Sequence, residues 1–193
     1  MKNKLITISA VAAVLGVSLS LPAAAAMSVR ASFADAALSI DAWGSQSASS
    51  GFLQTDIPLG STVLGAYLYS SSVWSDGVAG DVTLNGTFLS SASGSLLPSS
   101  NPTSTRIHDV TSFMKSAIES SAGGLQNWSI SENGFTDGEV LVFAYQNAST
   151  AGGSAIILDG GLSTSGDIVH LDFTAPYTSG DAFMSLASSY KLW

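Results

Sequence analysis

The chain has 193 residues, no cysteine, 14 acidic and 6 basic side chains, and a net charge of −8. Two of the basic residues, Lys2 and Lys4, sit at the very start, and all the acidic ones lie beyond residue 26, so the remainder is near −10. That charge repels a phosphate backbone and disfavours nucleic acid, anionic membrane and polyanionic partners. Without cysteine the fold must hold through its core, with no disulfide and no thiolate metal site.

The first segment reads as a secretory signal peptide. Lys2 and Lys4 form a basic n-region, Leu5 to Leu21 is mostly apolar, and Pro22 leads into Ala23 to Ala26, where small residues suit cleavage after Ala25 or Ala26. The stretch is short and Ala/Ser-rich for a retained span, which needs roughly 20 strongly apolar residues. Removal leaves no integral membrane span. The expectation is a secreted or cell-surface protein, exported through a Sec-type leader, with residues 27–193 as one extracellular domain.

From Met27 onward, short apolar runs alternate with turn clusters, the pattern of an all-β antiparallel sandwich. Val29 to Trp43 carries Ala31, Phe33, Leu38, Ile40 and Trp43, and Gly44 to Gly51 reads as a Ser-rich loop. Thr62 to Ser70 is a strong strand. Strict alternation puts Leu64, Ala66 and Leu68 on one face and Val63, Gly65, Tyr67 and Tyr69 on the other. Asp81 to Leu89 contains Asn85-Gly86 between two β-like triplets, a type I′ hairpin signal because both residues tolerate positive φ. A polar loop with Pro98 and Pro102 precedes a short strand, Arg106 to Val110.

One helix is expected over about 112–121. Phe113 and Ala117, and Met114 and Ile118, recur at i,i+4; Asp109 or Thr111 can cap it, and Gly123-Gly124 ends it. Strands follow at Trp128 to Ser131, Glu139 to Tyr145 (apolar enough for burial on both faces), Ala155 to Leu158, Ile168 to Phe173 and Ala182 to Leu192. Within Ile168 to Phe173, alternation assigns Val169, Leu171 and Phe173 to the core.

The order Val82-Thr83-Leu84-Asn85-Gly86, then Asp109-Val110-Thr111 leading into a helix, then Trp128-Ser129-Ile130, resembles the galactose-binding-like jelly roll of bacterial extracellular modules. Leu59 to Tyr69, Asp137 to Tyr145 and Ala155 to Gly160 are similar to the β-sandwich domains of PEP-CTERM-type surface proteins. This resemblance implies a jelly roll at the bacterial cell surface and assigns no catalytic residue. The sequence stops at Trp193 with no Pro-Glu-Pro tail, so the expectation is truncation at the C-terminus, free release, or a resemblance confined to the domain.

No catalytic constellation stands out. His108 and His170 fall in predicted strands, with Asp172 two residues beyond His170, and no G-x-S-x-G is present. Glu132, Asp137 and Glu139 flank a predicted turn and are the carboxylates a glycan-acting hydrolase would use. No cofactor motif is present. A structural calcium of the kind jelly rolls hold could draw on Asp35, Asp41 or Asp172, without assignment. Tyr67, Tyr69 and Trp74 are the candidate aromatic platform for a sugar. The sequons at Asn85, Asn127 and Asn147 read as turns and strand ends. The leading expectation is a non-enzymatic structural, matrix or adhesion domain, whose partners are extracellular polysaccharide or other surface proteins. A carbohydrate-binding module is the alternative and a hydrolase the weaker one.

Overall fold

A computed structural model describes residues 27–45, 48–72, 78–98, 104–134, 136–161, 168–169, 171 and 180–186. The leader region, Trp74, His170 and Asp172 lie outside the described residues.

The strands are β1 (Ser28–Ala34), β2 (Ala37–Gly44), β3 (Ser50–Ile57), β4 (Thr62–Ser72), β5 (Val82–Leu84), β6 (Thr87–Leu89), β7 (Ser95–Leu96), β8 (Ser104–Asp109), β9 (Gly124–Glu132), β10 (Gly138–Gln146) and β11 (Ser154–Asp159). Helix α1 spans Thr111–Glu119. All described pairings are antiparallel. One sheet has the order β2-β10-β4-β8-β7, a second β3-β9-β5-β6, and β1 and β11 form a two-stranded ribbon. The described residues thus form an all-β sandwich with one short helix.

The core lies between the two larger sheets. Leu53, Ile57, Leu68, Leu84, Ile130, Leu141 and Phe143 fill it, with Met114 and Ile118 added from the helix. Inside it, the Trp128 indole N–H donates to the Thr55 hydroxyl at 2.9 Å, which satisfies both polar groups without water. β10 is buried on both faces as its composition predicts. Leu141 and Phe143 enter the core, while Val142 and Ala144 are buried on the opposite face. That second face is covered by the ribbon, whose Phe33 ring crosses over Gly65 at the approach a Cβ would occupy.

The Asn85-Gly86 hairpin forms as expected, with φ of 48° and 78°. Helix α1 begins one residue earlier than the periodicity suggests. The cap position falls on Val110, so neither expected residue caps the helix: the Asp109 carboxylate accepts from the Thr111 N–H at 2.9 Å from one residue before the cap, and the Thr111 hydroxyl turns to β4. The reason is an exposed edge. β8 pairs with β4 only from Tyr67 onward, leaving residues 62–66 without a strand on that side. The helix supplies the partners instead. Thr111 accepts from the Ala66 N–H at 2.9 Å, Val110 N–H donates to the Ala66 carbonyl at 2.9 Å, Glu119 accepts from the Val63 N–H at 2.9 Å and Lys115 donates to the Val63 carbonyl at 2.9 Å. Thr111, Lys115 and Glu119 recur every four residues, so one polar stripe on the helix closes the open half of the strand edge.

Four expectations need correction. The loop assigned to Gly44 to Gly51 gives way to β3 at Ser50, a strand the sequence reading passed over. Its outward Phe52 and inward Thr55 invert the usual polarity of a half-buried strand. Strict alternation in β4 also fails. The pairing with β10 skips Leu64 (Ala144 faces Gly65, then Tyr145 faces Val63), and this bulge turns Val63 into the core beside Ala66 and Leu68. In the stretch from Ile168 to Phe173, the described residues Ile168, Val169 and Leu171 form no strand, and Leu171 is exposed. Residues 182–186 likewise form no strand, and Phe183, Met184 and Leu186 are exposed. Apolar content alone cannot build a strand where no neighbour offers a ladder.

Candidate functional site

Tyr67 and Tyr69 do share the face of β4 that looks away from the core, and both are half-buried. The ribbon reaches them there. The Tyr69 hydroxyl donates to the Asp159 carboxylate at 3.0 Å, and Arg30 holds that carboxylate with Nε at 2.6 Å and an Nη at 3.2 Å. Burial first, and then the adjacent Asp159 charge, pushes the Tyr69 phenol far above its ordinary value. Asp35 and Asp41 are engaged separately in backbone contacts. Asp35 accepts from the Gly152 N–H at 2.7 Å, and Asp41 from the Gln54 N–H at 2.7 Å. His108 is buried with its Nε2 unpartnered, and burial pushes its imidazole below the usual range, so it is neutral at pH 7.

The larger exposed feature is the outer face of the second sheet, which sequence reasoning missed. Phe52 on β3 is 65% exposed, Phe88 on β6 64% and Leu125 on β9 64%. The register places small hydroxyl side chains between the two rings. Ser129 faces Phe52, Ser131 faces Ser50, and Thr83 is shared between Ser131 and Phe88. Because β3 and β6 are the two edges of a four-stranded sheet, the rings stand about three strand spacings apart, on the order of 14 Å. A trough of about 340 Å³ lies on this face, lined by Ser50, Gly51, Phe52, Thr83, Gly86, Ser129, Ile130 and Ser131. Beside it, Gln54 donates to Asn127 at 2.8 Å, fixing two amides on the same surface. The hint in the sequence was the outward phase of Phe52 and Phe88 against the inward Leu53 and Leu89.

The second feature is interior. Glu132 ends β9 and Glu139 is the second residue of β10, and the same-face parity with Ile130 and Leu141 turns both carboxyls into the space between the sheets. Glu139 is 1% exposed. Among the described residues, no group outside the pair donates a hydrogen bond to either Glu139 carboxyl oxygen or to Glu132 Oε2. Burial, and then the neighbouring Glu132 charge, pushes Glu139 up to about 9; burial also raises Glu132, with Asp137 adding to that and contacts from Ser45 and Glu139 opposing it. Two carboxylates cannot both ionise there, so the pair retains a proton at neutral pH.

The loops over this end are stitched together by backbone bonds. Ser45 N–H donates to the Asp137 carbonyl at 3.0 Å, Glu132 N–H to Ser49 at 2.9 Å, Asn133 N–H to Asp81 at 3.0 Å and Asp137 N–H to Ser71 at 2.8 Å. The turn therefore does bring Glu132 and Glu139 together, as the sequence suggested, but in the interior.

No family model, no curated protein and no solved structure matches this chain. Among the described residues no helix is long and apolar enough to cross a membrane, and no three His, Asp or Glu side chains converge to hold a metal.

Proposed function

We propose that this chain is an exported, non-catalytic recognition domain of matrix or adhesion type, which binds a neutral glycan on the outer face of its second sheet. The trough beside Phe52, with Phe88 exposed on the same face of the sheet, carries the reading. Exposed aromatic rings offer faces for the C–H surfaces of sugars, and the intervening Ser and Thr hydroxyls match sugar hydroxyls without introducing charge. A neutral ligand fits the acidic chain, since a polyanionic polysaccharide would be repelled. The basic, apolar and small-residue order of the first 26 residues supports export.

The strand order supports the jelly-roll form of the sandwich. Successive strands β2, β3, β4 and β5 alternate between the two sheets, and β8, β9 and β10 do so again on the return. The hydrolase reading draws less support, because Glu139 is buried and a glycosidase needs two carboxyls about 5–10 Å apart across an open cleft. The Tyr67 and Tyr69 platform is also less favoured, since the ribbon engages Tyr69.

The test is amide-resonance mapping of the mature protein with a panel of neutral hexose oligomers. Shifts should concentrate at Phe52, Thr83, Gly86, Ser129 and Ser131. Saturable shifts centred on Tyr67 instead would move the site to the other sheet and overturn this assignment.

A further inference from the structure

We propose that the buried Glu132–Glu139 pair, with the Ser70 hydroxyl beside it, is a binding site for a hard divalent cation of the calcium type. The inference is independent of the glycan reading. Its first support is a set of buried oxygens that no described group outside the pair engages: Glu139 Oε1 and Oε2, and Glu132 Oε2. The second is a different residue. Ser70 lies directly opposite Glu139 in the β4–β10 register, so both project from the same face of the sheet into the same interior space. Its side chain is fully buried, and its Oγ also lacks a hydrogen-bond partner.

Among the described residues no neighbouring cation compensates the pair. Arg106, opposite Ser70 on β8, directs its guanidinium to the Ala79 and Gly94 carbonyls, each at 3.2 Å. The described ion pairs join Arg30 to Asp159 and Lys115 to Glu119, and Asp137 adds negative potential at Glu132. Buried polar oxygens without partners are rare in folded proteins, and several of them on neighbouring positions of one face are what an oxygen-coordinated cation requires.

The donor chemistry sets the class of ion. Carboxylate and hydroxyl oxygens, with no nitrogen or sulfur ligand among them, suit calcium over zinc or copper. Two carboxylates and one hydroxyl fall short of the six to eight oxygens calcium takes, so water or backbone carbonyls must complete the shell. That places the affinity in the weak class of extracellular modules, with a dissociation constant of about 0.1–1 mM.

The experiment uses the mature protein stripped with chelator. Thermal unfolding is followed at pH 8 with and without about 10 mM calcium chloride, against sodium chloride of equal ionic strength, and calorimetric titration gives the stoichiometry. Calcium should raise Tm by about 3–6 °C. The rise should vanish in Glu139→Gln, which keeps the shape of the side chain, and shrink in Ser70→Ala. No calcium-specific rise would overturn the proposal. So would a rise that persists undiminished in Glu139→Gln, since that places the ion elsewhere. Should Glu139→Gln fail to fold, Ser70→Ala decides: an undiminished rise in that variant overturns the site.

Discussion

The Tyr69 hydroxyl donates to the Asp159 carboxylate at 3.0 Å, and Arg30 grips the same carboxylate from the ribbon strand beside it. Asp159 is buried, so this triad places one negative charge under the ribbon and satisfies it with a phenol and a guanidinium. It also fixes the ribbon against the face of β4 that carries Tyr67.

Tyr69→Phe should therefore destabilise the domain by about 1.5–3 kcal/mol, the range for a hydrogen bond to a charged group. Urea unfolding measures this. Hydrogen exchange should accelerate first in β1 and β11. Glycan binding on the second sheet should be unchanged, which separates this ring from a ligand platform.

Thr111→Val should be costly for a helix position of such modest size. The hydroxyl accepts from the Ala66 N–H, and its loss leaves a strand-edge donor with no acceptor at that place. A destabilisation of about 1–3 kcal/mol is expected by chemical denaturation, with Thr111→Ser recovering most of it.

Glu139 gives a pH signature whose sign follows from its raised pKa of about 9. Between the ordinary carboxyl range and that value, the folded state binds a proton that the unfolded state has released. Stability without added metal should therefore be full at acidic pH and fall as pH rises toward about 9, with a slope of at most ~1.4 kcal/mol per pH unit. Glu139→Gln should flatten this slope and stabilise the protein at pH 8. Equilibrium unfolding from pH 5 to pH 9 checks both; a wild-type stability that rises over that interval contradicts the buried-pair assignment.

The elements legible in the sequence were those whose local chemistry and tertiary role agree. Asn85-Gly86 demands its turn, Met114 and Ile118 recur on one helical face, and the run Leu141 to Ala144 can only be satisfied by cover on both sides. β3 was missed because its burial follows position: Thr55 is inside with its hydroxyl bonded to Trp128, and Phe52 is outside. The bulge at Leu64 left no mark in sequence, being imposed by the β10 register. The pairing of Glu132 with Glu139 was visible as a turn flanked by acids. Whether those acids faced solvent or each other depended on strand phase, which the sequence carries only once Ile130 and Leu141 are known to be core. Ser70 carried no signal at all, since nothing in a Ser-rich strand distinguishes one hydroxyl from the next.

The central claim is the ligand face of the second sheet, and a glycan array tests it most directly. The mature protein and the Phe52→Ala and Phe88→Ala variants would be screened side by side at matched folding. The account predicts binding to one or more neutral glycans, weakened about tenfold by each substitution, the effect of losing about 1.4 kcal/mol of ring contact. Binding that both variants retain at full strength, or selective capture of polyanionic glycans, would contradict it.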